Sequence, residues 1–135
     1  MSERVFVDTS AYYALADRSD MRHESAVATA HHLSENGLDL FTSNFVVVET
    51  YTLILNRLGR DSATQALTRI YASTTRTIRA TEADERRGRE IVVQQKDKDY
   101  SLVDAISFAI MERMHLRLAW TYDHHFHQFG FTQAH

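Results

Sequence analysis

The stretch Arg4-Val5-Phe6-Val7-Asp8-Thr9-Ser10-Ala11-Tyr12-Tyr13-Ala14-Leu15 decides how the rest of the chain is read. Its Val- and Phe-rich start predicts a short buried β-strand. The strand ends on a carboxylate and two hydroxyl residues, after which the apolar spacing turns helical. In an open α/β sheet, ligands sit outside the carboxyl ends of the strands. That puts Asp8 where chemistry is done. An Asp there can also be a plain helix N-cap, but Thr9 or Ser10 can take that duty and leave Asp8 to a site.

Working outward, strand-like and helical segments alternate along the whole chain. Ser10 to Ala16 is expected to be helical, and Asp17 to Arg22 a polar loop. His23 to Glu35 is a second helix with Asn36-Gly37 as its stop. Leu38 to Thr42 is a strand, and Ser43 or Asn44 caps a long helix that ends before Gly59. Asp61 or Ser62 caps a helix through Ala72, and Thr75 to Arg79 makes an edge strand with its own charges as protection. Thr81 and Asp84 have capping-box spacing ahead of a helix running to about Gln95. Ser101 and Asp104 repeat that spacing ahead of a strongly apolar helix. Leu116 to Tyr122 is the fourth strand, and Phe129-Gly130-Phe131-Thr132-Gln133 the short fifth. Such alternation predicts the α/β class, a mostly parallel five-stranded sheet covered by helices on both faces.

The 135 residues are expected to form one domain, residues 1–135, large enough for a real core. There is no cysteine, so disulfides, thiolate metal sites and cysteine nucleophiles are all excluded. Proline is also absent, and no linker or repeat divides the chain. The four glycines mostly fall where helical patterns stop. No apolar run approaches the roughly 18 residues of a membrane span, and no signal-peptide pattern opens the chain; a cytoplasmic protein without membrane contact is expected. With 15 basic and 18 acidic residues the net charge is −3, so the molecule as a whole does not attract nucleic acid.

Three further carboxylates stand in unexpected places. Glu49 has Phe45 and Leu53 at i−4 and i+4, which puts it on an apolar stripe. Asp104 sits in the first turn of a helix that is apolar on nearly every face. Asp123 follows the strand Leu118-Ala119-Trp120-Thr121-Tyr122. With parallel strands, Asp8 and Asp123 share one rim of the sheet, and Asp104 and Glu49 lie within reach of it. Four such charges would repel and raise one another's pKa. A divalent cation relieves this, and an all-oxygen donor set suits Mg²⁺ or Mn²⁺.

The matching stretches Val5–Leu15, the Glu49 of VVVET, YSLVDAISFAIM and WTYDHHFHQFGF resemble the PIN-domain ribonucleases, and within them the VapC-like toxins of toxin–antitoxin pairs. The resemblance spans almost the whole chain. It implies a five-stranded parallel α/β/α sandwich and an endoribonuclease that uses metal-activated water, leaving a 3′-hydroxyl and a 5′-phosphate. Carried over by position, Asp8, Glu49, Asp104 and Asp123 match the catalytic, metal-binding acids. Ser10 and Thr121 match supporting hydroxyls, and Asp99 is a further acid at the edge of the motif. The implied cofactor is Mg²⁺, with Mn²⁺ able to substitute. The implied partners are RNA, a small antitoxin, and a second copy or a toxin–antitoxin hetero-oligomer.

Arg18 and Arg22 follow the first helix near the rim and are candidate RNA contacts. Arg86, Arg87, Arg89, Lys96 and Lys98 are read as a solvated face balanced by nearby acids. His124, His125 and His127 invite zinc, but without cysteines they are read as having no metal-binding role; a phosphate contact by His124 or His125 stays open. Two rival classes remain. A phosphatase-like domain with Asp8 as nucleophile would want an acid where Ser10 stands. A non-catalytic interaction module would not need all four acids.

Overall fold

The computed structural model describes residues 3–134. Its sheet has the order β3-β2-β1-β4-β5, with every neighbouring pair parallel. The strands are β1 (Arg4–Val7), β2 (Asp39–Ser43), β3 (Arg76–Ile78), β4 (Leu118–Trp120) and β5 (Thr132–Gln133). The helices are α1 (Thr9–Ala16), α2 (His23–Glu35), α3 (Asn44–Leu58), α4 (Arg60–Ala72), α5 (Glu82–Gln94), α6 (Leu102–Met114) and α7 (His124–Phe129).

Central strands of a parallel sheet are covered on both faces, which is why β1 reads as an unbroken apolar run. Phe6, Phe41 and Ala119 point into one core with Ile91, Phe108, Ile110 and Phe126 from α5, α6 and α7. Val5, Val7 and Trp120 point the other way, against Ala11, Ala14, Ala26 and Leu33 of α1 and α2. A third cluster, Tyr13, Ile54 and Ala63, joins α1, α3 and α4. The chain leaves β1 toward β2 and leaves β4 toward β5, in opposite directions. The crevice where strand order reverses therefore opens between the carboxyl ends of β1 and β4.

Several local expectations change. Asp8 is itself the N-cap of α1, accepting from the Ser10 amide at 3.4 Å, so the cap is not passed on to Thr9 or Ser10. α4 starts at Arg60 with Gly59 as its N-cap and no side-chain cap bond, not at Asp61 or Ser62. β4 is three residues long, so Asp123 lies beyond a Thr121-Tyr122 turn and caps an extra helix, α7. That helix was not expected, because its six residues are too few to show a period. Gly88 stops nothing: it lies inside α5, where a Cβ would come 2.7 Å from the Ile106 side chain of α6. The missing side chain lets α5 lie directly against the Ile106 backbone of α6.

The two capping-box spacings have different outcomes. Thr81 and Asp84 form the full reciprocal box, and the Asp84 carboxylate also pairs with Arg113 of α6 at 2.8 Å. At Ser101 only half is made: the Ser101 hydroxyl accepts from the Asp104 amide, while the Asp104 carboxylate turns elsewhere. Its direction leads to the site.

Candidate active site

Asp8, Glu49, Asp104 and Asp123 line one cleft of about 320 Å³, together with Thr9, Ser10, Leu53, Asp99, Ser101 and His125. The cleft lies at the strand-order reversal. All four acids of the sequence reading are thus brought together, each by a different element: the end of β1, the second turn of α3, the first turn of α6 and the cap of α7. Glu49 is half-buried rather than deep in an apolar stripe. Exposed Asp99 joins the lining from the loop before α6.

Asp8 is 3 % exposed and is held by its own strand and by β4. Its amide donates to the Trp120 carbonyl at 3.0 Å. Its Oδ2 accepts from the Ser10 hydroxyl at 2.8 Å and the Thr121 hydroxyl at 2.9 Å. Those hydroxyls accept in turn: Ser10 Oγ from the Tyr122 amide at 2.8 Å, Thr121 Oγ1 from the Asp123 amide at 3.0 Å. Each hydroxyl has one proton and gives it to Asp8, so the 3.2 Å approach between them is a contact, not a third bond. Ser10 and Thr121 therefore tie the β1 end to the β4 turn through a single carboxylate oxygen.

Asp104 Oδ2 and Asp123 Oδ1 each stand 3.2 Å from His125 Nδ1, and Asp123 Oδ1 also accepts the His125 amide at 2.9 Å. In all three aspartates the side-chain and cap hydrogen bonds gather on one oxygen. The other oxygen receives no side-chain donor among the described residues. Nor does any Lys or Arg reach ion-pair distance of the four acids there.

The electrostatic consequence is visible in two groups. Burial pushes the Asp8 carboxyl up to about 6, against the pull of the Ser10 and Thr121 hydrogen bonds. Burial also raises Asp104, to about 7, helped by the charges of Asp8, Asp123 and Glu49 and opposed by His125. A site that raises its own carboxylates, leaves one oxygen of each aspartate without a side-chain donor and, among the described residues, places no Lys or Arg beside them fits a hard divalent cation.

Arg18 and Arg22 are exposed on the α1–α2 turn and do not line the cleft; the Arg22 guanidinium lies 5.6 Å from the centre of the Tyr122 ring. Arg86 and Arg89 are exposed on α5, as expected of a solvated face, and Arg87 pairs with Glu112 at 3.2 Å. His124 is exposed and His127 lies on the solvent side of α7. His125 is what sequence reasoning missed. Its signal was Asp-x-His at the start of a helix that follows a strand, which puts the ring beside the capping acid.

Comparison with known proteins identifies the family and the fold. The PIN domain model matches residues 5–132. The 23S rRNA-specific endonuclease VapC20 of Mycobacterium tuberculosis is 34% identical over 131 residues, covering 96% of this chain and 97% of that protein. The crystal structure of M. tuberculosis VapC20, described as a sarcin–ricin loop cleaving toxin, superposes with a TM-score of 0.87 at 32% identity, covering 95% and 96% of the two chains. VapBC2 of Rickettsia felis, solved bound to a promoter DNA fragment, shares the fold at 13% identity, a TM-score of 0.72 and 96% coverage of both chains. Among the described residues no helix is long and apolar enough to cross a membrane. The chain belongs to the PIN-domain family and, within it, to the VapC-like endoribonuclease toxins.

Proposed function

We propose that the protein is the toxin of a toxin–antitoxin pair, a Mg²⁺-dependent endoribonuclease, with Mn²⁺ able to substitute, built from residues 1–135 as one domain. The observation that carries this reading is the convergence of four carboxylates at the strand-order reversal, with no Lys or Arg pairing with them among the described residues. Asp8, Glu49, Asp104 and Asp123 would hold the ion, with Asp99 at the mouth of the cleft. When bound, such an ion polarises a phosphate oxygen and lowers the pKa of water beside it.

The chain's own residues do the arranging. Ser10 and Thr121 fix the rotamer of Asp8 by occupying its Oδ2, which leaves the opposite oxygen for the cation. The acid expected of a phosphatase two positions after Asp8 is Ser10, and it is spent on this bond. The cleft is open and lined by acids, so a phosphodiester reaches it only in company with the cation that offsets their charge. Arg18 and Arg22 would take backbone phosphates outside the cleft, positioning RNA without reading its sequence.

The substrate class we infer is ribosomal RNA, because the relative that aligns over almost the full length is 23S rRNA-specific. The partner is a small cognate antitoxin, and the toxin assembles as a homodimer or a toxin–antitoxin hetero-oligomer. Its site of action is the cytoplasm. Purified protein incubated with ribosomes in Mg²⁺, Mn²⁺ or chelator, followed by mapping of RNA ends, tests the activity. New 5′-phosphate ends that need the metal and vanish with Asp8→Asn support it. Equal cleavage by Asp8→Asn would remove the site assignment, and growth arrest unrelieved by the neighbouring small reading frame would remove the toxin role.

A further inference from the structure

We propose that His125 is a positioning residue of this metal site, its Nδ1–H donating to Asp104 and its backbone amide to Asp123 so that each turns its other oxygen to the cleft. The inference rests on the metal-dependent reading above and adds to it a residue outside the four acids.

The geometry assigns the proton. Nδ1 lies 3.2 Å from Asp104 Oδ2 and 3.2 Å from Asp123 Oδ1. The ionised Asp104 oxygen accepts, so Nδ1 donates to it, while Asp123 takes its hydrogen bond from the His125 amide at 2.9 Å. While Nδ1 carries this hydrogen it has no lone pair for a cation, so toward Asp104 the ring acts as a donor. Two acids, from α6 and the cap of α7, are joined here by the two N–H groups of one residue. They would otherwise meet with nothing between them but repulsion.

The ring is fixed well enough for that task. Its side chain is 18% exposed. The edge of Tyr100 meets it at 5.2 Å between centroids and 82°, and Tyr100 is braced on Phe108 at 5.1 Å. The His125 amide holds Asp123 at 2.9 Å, so one residue grips both carboxylates, each by its own donor. This also explains why Asp104 leaves its own cap unfinished. The reciprocal bond that Asp84 makes to the Thr81 amide is given up at Asp104, whose carboxylate is drawn to His125 instead.

Outer partners that orient metal-binding side chains are worth about 10- to 100-fold in metal affinity. The test uses Mn²⁺ alone as probe, titrated by electron paramagnetic resonance into the full chain. His125→Asn places an amide donor where Nδ1 stands; His125→Leu has nearly the same shape and no donor; His125→Phe keeps a ring against Tyr100. Wild type and His125→Asn are expected to bind within a few-fold of each other, and both donor-free variants about 10- to 100-fold more weakly. Cooperative melting in chelator identifies which variants are folded, and either donor-free variant suffices. The proposal is overturned if a folded donor-free variant binds like wild type, or if His125→Asn is as weak as His125→Leu. A nitrogen coupling to Mn²⁺ that is present in wild type and lost in His125→Phe overturns it too, since that makes His125 a ligand. Failure of wild type to bind Mn²⁺ at all is a separate result, which removes the metal-dependent reading along with the role.

Discussion

Thr121 Oγ1 donates to Asp8 Oδ2 at 2.9 Å across 113 residues of sequence, and this bond links the ends of β1 and β4 at the mouth of the cleft. Thr121 has no solvent exposure, so its hydroxyl cannot exchange this partner for water. The same oxygen accepts the Asp123 amide and so sets the turn that carries the last acid.

Thr121→Val keeps the shape and removes both bonds. We expect cleavage and Mn²⁺ affinity to fall by about 10- to 100-fold, and stability to fall by about 1–3 kcal/mol because the Asp123 amide loses its acceptor. Thr121→Ser should recover most of both. Denaturant melts and Mn²⁺ titration check this; a Val variant with wild-type metal affinity would mean that Asp8 does not need the hydroxyl.

Stability of the metal-free protein should run against the usual acid sensitivity. Asp8 at about 6 and Asp104 at about 7 lie above the unfolded carboxylate value of about 3.9. Between about pH 4 and pH 7 the folded state therefore holds more protons than the unfolded state, and stability declines as pH rises through that window. Asp84 works in the opposite sense. Burial alone would raise it, but Arg113 and the Thr81 bonds outweigh that and hold it below the usual range, so its contribution is present at higher pH and is lost in stronger acid. In chelator, melting at about pH 5 is expected above melting at about pH 8, and saturating Mn²⁺ at pH 8 should reverse the order. A chelator melt that climbs steadily from pH 5 to 8 would contradict a crowded cluster.

Away from the cleft, the ion pair of Asp84 and Arg113 fastens α5 to α6, the helix that carries Asp104. Arg113→Met takes the cation from a carboxylate that is 3 % exposed and should cost about 1–3 kcal/mol. Asp84→Asn should cost less, because the amide oxygen can still accept the Thr81 amide. Thermal melts of the two variants rank them. If Arg113→Met melts like wild type, the pair holds nothing.

How much of this was legible depended on whether a residue's pattern was local. The strand Val5–Val7, the cap Ser43 and the box Thr81–Asp84 are each specified within a few residues, and each forms as read. The four acids were legible because a carboxylate among apolar neighbours, or at the end of a strand, departs from its surroundings. α7 and the grip of His125 were not. Six residues carry no period, and the bond from α7 to Asp104 spans 21 positions with no local trace. Ser101-x-x-Asp104 has the same letters of a capping box as Thr81-x-x-Asp84, yet only tertiary competition for the Asp104 carboxylate decides that the box stays half made.

That competition gives the last prediction. Asp104→Asn removes one charge from the cluster and keeps the volume, and its amide oxygen can still accept from His125 Nδ1. Neutralising Asp104 also removes one of the charges that face Asp8 and Asp123. In chelator at about pH 8, where Asp104 would otherwise be ionised, the variant is expected to be more stable than wild type by on the order of 2 kcal/mol. At about pH 5 wild-type Asp104 is already protonated, so the gap should close. Cleavage should be lost at every pH, since the amide supplies no charge for the cation. Paired melts at the two pH values separate relief of repulsion from a generic change in packing, which would shift both by the same amount. An Asn variant less stable at both would mean that Asp104 is held by favourable partners, and that the cluster is not under electrostatic strain.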